Sequence, residues 1–188
     1  MDVEAAIQKR RAKRALLAKE IPMESVDKLV EAMRLAPSCN NQQPWRVVIV
    51  RSPEKLKTLK ETLPRGNVWA TRSPTIFAIA SKPEDDCRLS DNRDYFLFGC
   101  GLSVGIMTLQ ATELGLIAHP IAGYDPIKAK QILGIPSEYV LITLVICGYP
   151  DGDTDLLSEK QKEAEKERPS RKPVVENFFM DEWGKPLA

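Results

Sequence analysis

A chain of 188 residues can form one domain that buries about two-thirds of the surface its unfolded form exposes, and 43% hydrophobic with 28% charged residues sets aside both a disordered polymer and a membrane-embedded chain. Its 27 lysines and arginines nearly balance 26 aspartates and glutamates, so no long-range field draws it to nucleic acid or an anionic membrane, and any anion site is local. Cys39, Cys87, Cys100 and Cys147 are dispersed, without a CxxC pair and with His119 the sole histidine, which argues against a metal site; few cysteines and an N-terminus without an apolar stretch point to the cytoplasm.

Val3 and Ile7 mark one face of an N-terminal helix, and Val26, Leu29, Val30 and Met33 recur at helical spacing in a second, with Pro22 near its start and Pro37 as its stop. The β-branched run Arg46 to Val50 reads as a short buried strand. Ser52-Pro53-Glu54 then opens a helix with Leu56, Leu59 and Leu63 on one side, ended by Pro64 and Gly66. Thr75 to Ala80 is a second strand. Tyr95 to Thr112 carries no charge over 18 residues, the lower edge of a transmembrane span. Ser103, Thr108 and Gln110 within it, and Arg93, Asp94 and Glu113 beside it, favour instead a helix buried on every side at the centre of a domain or dimer, with Gly101 and Gly105 permitting close approach. A loop, HPIAGYD, follows; Asp125 caps a short helix from Pro126 that Gly134 and Pro136 terminate. Val140 to Cys147 is the third strand, closed by Gly148-Tyr149-Pro150.

Alternating helices and strands without repeats predict an α/β (α+β) domain over 1–188, a central sheet covered by helices. Residues 151–172 form a charged, exposed linker, partly helical at most. In the arm 173–188, Val174, Val175, Phe178, Phe179 and Trp183 are too apolar to be left in water. The arm either folds back or embraces a second subunit, and exchange is a low-cost route to dimers.

Two constellations could carry chemistry. If the first helix continued through Lys9-Arg10-Arg11-Ala12-Lys13-Arg14, Arg10 and Arg14 would share a stripe with Val3 and Ile7, a placement that requires an anion because unpaired buried charge is costly. A phosphate clamp suits arginine's planar fork, while a solvated basic helix end explains the cluster equally well, and a nucleic-acid arm sits poorly with the neutral whole. The loop Pro37-Ser38-Cys39-Asn40-Asn41-Gln42-Gln43-Pro44-Trp45 is rich in amide donors and acceptors fit to read a heteroaromatic edge; a capped loop whose Trp45 packs is the equal alternative. His119, ahead of a proline, reads as structural, and no partner histidine can be named for a Cys39 nucleophile.

In order and spacing, RRAKR, APSCNNQQPW leading into RVVIV, GLIAHPIAGYD after a long apolar helix, ITLVICGYP and RPSRKPVVENFF resemble the nitroreductase family over nearly the whole chain. The resemblance implies a mostly antiparallel central sheet flanked by helices, an FMN-binding fold whose C-terminal arm is exchanged in a homodimer, and FMN at the subunit interface. It also implies an oxidoreductase passing hydride from NADH or NADPH through the flavin to a small electron-poor acceptor, a nitroaromatic or quinone, by a ping-pong cycle that needs no protein nucleophile or acid–base pair. Relatives that use reduced flavin for dehalogenation, or that cleave the flavin, define an alternative; a non-catalytic basic-tailed interaction protein is the other.

Carried over by position, Arg10, Arg11 and Arg14 resemble the residues that hold the FMN phosphate and the pyrimidine edge. Ala12 stands where a serine is common, one phosphate hydrogen bond fewer. Ser38, Cys39 and Asn41 correspond to a loop reaching the flavin bound mainly by the other subunit, and Asn67 to an asparagine near the ring. Pro120, Ile121, Ala122 and Gly123 match a segment whose backbone lines the reactive middle of the ring, with Ala122 replacing a glutamate of some members. Arg171 with Lys172 completes the phosphate site, and Arg168 is a further candidate.

Overall fold

The computed structural model describes residues 1–187. Its frame is an antiparallel sheet whose hub is the long strand β5, Val140–Pro150. This strand pairs along one edge with β3, Thr75–Ser81, which pairs in turn with β2, Arg46–Val50. Its other edge pairs with β4, Ile117–Ile121, and its last two residues pair with the short β1, Leu16–Leu17. The mostly antiparallel sheet expected from the resemblance is present. β1 and β4 were not anticipated: a two-residue strand has no periodicity to detect, and the segment read as the loop HPIAGYD begins as strand, with His119, Pro120 and Ile121 in register against Ile146, Val145 and Leu144. Pro120 is tolerated because β4 is an edge strand that need not donate on its free side.

Alternation along β3 and β5 sorts the core into two layers. Ile76, Ala78, Leu144 and Ile146 face Leu56, Leu59 and Trp69, whereas Phe77, Ile79, Val145 and Cys147 face Val26, Leu29, Met33 and Met107. The first layer is roofed by α3, Pro53–Lys60, and α5, Pro126–Leu133. Both have the caps expected: Ser52 Oγ accepts from Lys55 N, and Asp125 Oδ1 from Ile127 N and Lys128 N. Gly134 closes α5 at φ 66°, the left-handed conformation in which glycine meets no Cβ penalty. The second layer is α2, Met23–Arg34, against α4, Tyr95–Glu113.

One expectation about burial is narrowed and one is corrected. α4 is long and apolar enough to span a membrane, and half of that stretch is buried against the rest of the chain. Within one chain Leu97, Phe98, Gly101 and Gly105 are exposed along one face, where a Cβ added at either glycine would meet open space, so the all-round burial expected at the centre of a domain or dimer requires a second copy. Likewise the N-terminal helix α1, Val3–Lys9, turns Ala6 inward and leaves Val3 and Ile7 at 71% and 52% exposure. Among the described residues of one chain, neither apolar face has a partner.

The charged segment contains α6, Glu159–Lys166, opened by a capping box between Ser158 and Gln161. The arm beyond it has a short helix α7, Val174–Asn177, and a local bridge between Phe179 and Pro186, with Phe179 against Trp183 at 5.0 Å. It does not fold back on its own domain: Val174, Val175 and Phe178 are more than half exposed and Trp183 is 93% exposed.

Candidate functional site

The stripe argued for Arg10 and Arg14 presumed a continued helix, but α1 stops at Lys9 and Arg10 already has φ −56° and ψ 123°. From there Arg10 and Arg14 turn toward His119 on β4, close enough for both charges to oppose its protonation. Arg11 goes elsewhere. Its guanidinium donates to the carbonyls of Ala164 at 2.7 Å, Glu167 at 2.5 Å and Lys166 at 3.3 Å, satisfying the last turn of α6. Within this subunit Arg11 is therefore a clasp on α6 with its donors engaged, a position at odds with the phosphate role the resemblance implied. The clasp is reciprocated by Glu165, whose Oε1 accepts from Arg14 N at 2.7 Å.

The clasp brings the residues after α6 back to the end of α1. Arg168 donates to the carbonyls of Ile7, Gln8 and Arg10 at 3.3, 2.8 and 2.7 Å, a cation on helix-terminal carbonyls. Arg10 lies among like charges: burial, then Arg168, then Arg171 pull its pKa below the usual arginine value. Among the described residues no carboxylate forms an ion pair with Arg10, Arg14, Arg168 or Arg171. Repulsive guanidinium groups without an acidic partner are a donor set suited to an added anion, and arginine forks match a phosphate oxygen for oxygen. Lys172 is exposed and reaches Glu176 at 3.8 Å, on the arm rather than in the cluster.

His119 forms the floor. It is buried, its Nδ1 lies 3.0 Å from the Lys13 carbonyl, and its ring rests on Trp69 at 4.8 Å. Because the partner is a carbonyl, Nδ1 carries the proton. Burial lowers its pKa to about 4, the Lys13 hydrogen bond opposing and the Arg14 and Arg10 charges assisting, so the ring is neutral near pH 7. Arg14 also sits over Trp69, 6.0 Å from the ring centroid. Trp69 was left out of the sequence-derived site because a buried tryptophan in a sequence is indistinguishable from core.

Asn67 joins two parts of the expected site. Its Nδ2 donates to the Gly123 carbonyl at 2.8 Å and its Oδ1 accepts from Trp69 Nε1 at 3.2 Å, so the turn after β4, with Ala122 and Gly123 exposed, is fixed to the Trp69 segment. A Cβ at Gly123 would stand 2.7 Å from Asn67 Nδ2. Gly123→Ala is thus expected to break this hydrogen bond and cost about 1 kcal/mol of stability, read as a lower denaturant midpoint. An unchanged midpoint would mean that the side chain simply swings away.

The loop with Ser38, Cys39 and Asn41 is a separate piece. Asn40, Asn41 and Gln43 all have positive φ, at 45°, 58° and 50°. Ser38 Oγ holds the fold of the loop by accepting from Gln43 N at 2.9 Å. Ser81 Oγ donates to the Pro44 carbonyl at 2.8 Å, and Cys39 is bonded to Cys87, so the loop is anchored beyond β3. Dispersal of the cysteines gave no sign of this pair, which closes 48 residues of sequence. The Cys39 sulfur being engaged, only its backbone is left for a ligand. No hydrogen bond or ion pair among the described residues joins this loop to the arginine corner.

Together these features define an antiparallel α+β fold with a basic, phosphate-suited corner beside a fixed turn, and apolar faces that one copy leaves uncovered. The sequence model of the nitroreductase family matches residues 7–65. An Archaeoglobus fulgidus protein, provisionally named an NADH dehydrogenase/NAD(P)H nitroreductase, is 31% identical over 154 residues, which cover 79% of this chain and 86% of that protein. A solved oxidoreductase containing FMN superposes with a TM-score of 0.83 at 25% identity, over 98% of this chain and 94% of that one. A nitroreductase family protein of Clostridium difficile shares the fold at a TM-score of 0.79 and 21% identity, over 97% and 99% of the two chains. The chain belongs to the nitroreductase family.

Proposed function

We propose that two copies of this chain hold FMN between them and pass hydride from NADH or NADPH to a small electron-poor acceptor such as a nitroaromatic or quinone, in a ping-pong cycle. The observation that carries the reading is the approach of Arg10, Arg168 and Arg171 from opposite ends of the sequence, without an acidic partner among the described residues, with Arg14 over the Trp69 that Asn67 ties to Gly123. Arg10 and Arg171 bind the phosphate; Arg168 sets their spacing through the α1 carbonyls. Arg14, over Trp69, serves the pyrimidine edge, where a positive group stabilises charge arriving with hydride. The backbone of Pro120, Ile121, Ala122 and Gly123 supports the ring. FMN itself supplies the hydride chemistry; the chain orients it and excludes competitors.

The second copy has two reasons to be there. The exposed face of α4 with its two bare glycines, and the aromatic arm that finds no seat on its own domain, both call for apolar cover. A second copy also brings its own Ser38–Asn41 loop to the ring, which the loop within one chain does not reach by any hydrogen bond to the corner. We place the protein in the cytoplasm, a reducing compartment in which the Cys39–Cys87 disulfide would stand open as two thiols.

Rapid anaerobic mixing of the yellow holoprotein with NADPH and, separately, NADH tests the reading. Bleaching of the flavin by either, with colour restored on adding a quinone, is expected. A protein that takes up FMN yet stays yellow with both donors is not a reductase, and one that ignores added FMN altogether removes the cofactor as well.

A further inference from the structure

The Cys39–Cys87 pair has a third member. A carboxylate oxygen of Asp86 lies within 4.8 Å of both sulfurs. Asp86 is only 7% exposed; its Oδ1 accepts from Cys87 N at 2.8 Å, and its Oδ2 is buried with no hydrogen-bond partner. Pro44 and Gly99 wall that oxygen in, since a Cβ built on Gly99 would stand 3.0 Å from Pro44 Cγ and 3.5 Å from Oδ2. Arg46, a neighbouring cation, is paired with Asp85 at 3.3 Å. A disulfide is neutral and does nothing for a buried carboxylate, which is costly to leave uncompensated. A divalent cation would supply what is missing.

We infer that the reduced chain binds one thiophilic divalent cation, zinc above all, through Cys39, Cys87 and Asp86, and that the disulfide is the metal-free state of the same site. Thiolates select zinc over magnesium or calcium, and three protein ligands leave a fourth position for water. The geometry permits it: with Zn–S near 2.3 Å, two thiolates on one tetrahedral ion sit about 3.7 Å apart, within reach of two cysteines whose Cα atoms are 6.0 Å apart. Both cysteines are partly exposed, so an ion can enter from solvent. The two states interconvert in balance. A dithiol reductant gives two electrons and two protons to the disulfide and leaves as its own disulfide; the cation then displaces both thiol protons. Cysteine spacing speaks against zinc only along the sequence; the fold brings Cys39 and Cys87 together.

Cys39 belongs to the loop proposed to reach the second copy's flavin, and the test therefore reads metal alone, apart from any flavin activity. The protein is reduced with dithiothreitol, freed of it anaerobically and titrated with Co²⁺, followed by zinc competition against a chromophoric chelator. One equivalent of cobalt with a thiolate-to-metal band in the near ultraviolet, displaced by zinc, is expected. The oxidised protein should give no band. Cys87→Ser should weaken zinc binding at least a hundredfold and Asp86→Asn about tenfold, circular dichroism showing that each variant folds. No band in the reduced wild type overturns the proposal; so does a Cys87→Ser chain that binds as tightly, and an Asp86→Asn chain with unaltered affinity removes the carboxylate from the site.

Discussion

Arg10→Ala is expected to weaken FMN binding about a hundredfold. A charge-assisted contact contributes roughly 1.5–3 kcal/mol, and a bidentate fork at its upper end corresponds to two powers of ten in Kd. The loss should be larger than for a surface lysine because Arg10 is partly withdrawn from water between Arg168 and Arg171, where an arriving phosphate also relieves repulsion already present in the free chain. Arg11→Ala gives the contrast. Its donors are spent on the end of α6, so it should lower the melting temperature and leave the FMN affinity within a few-fold of the wild type. Titrations by flavin fluorescence quenching at two ionic strengths would read both. If Arg11→Ala loses FMN and Arg10→Ala does not, the corner has been assigned to the wrong guanidinium.

How far the sequence revealed this arrangement differs from part to part, for physical reasons. Helices α2, α3 and α5 were legible because caps and periodic leucines or valines are local signals: Ser52 and Asp125 do in the fold what their position predicts. β3 and β5 were legible as apolar runs. β4 was hidden because its His119-Pro120 step imitates a loop, and only pairing with β5 makes it a strand. The basic cluster could be found as a cluster, yet which arginine turned where depended on α1 ending at Lys9 and on α6, 153 residues away in sequence at Ala164, presenting bare carbonyls to Arg11. The Cys39–Cys87–Asp86 group could not be read at all, since nothing along the chain ties the loop before β2 to the segment after β3. The family resemblance supplied positions; the fold supplied partners.

His119 should make stability depend on pH in a window where few other groups titrate. Its folded pKa is lowered from 6.5 to about 4, principally by burial, so the unfolded chain binds more protons than the folded one between those values. Stability from this group is therefore fully present above pH 6.5 and is lost as the pH falls from 6.5 toward 4, by about 3 kcal/mol if no other group responds. Between pH 6.5 and 5 the carboxylates remain mostly ionised, and a falling urea midpoint there reports the imidazole. His119→Gln should be less stable at neutral pH, having lost the stack on Trp69, but nearly flat across that window. The same ring reports the ligand. It is the only histidine of the chain, so its proton resonance needs no assignment, and Arg14 and Arg10 are among the charges that depress its pKa. FMN or inorganic phosphate bound at those guanidinium groups offsets their charge and should move the His119 titration upward. A free chain in which the imidazole titrates near 6.5, or a resonance indifferent to saturating FMN, would separate the histidine from the arginine corner and leave the phosphate without the neighbours described for it.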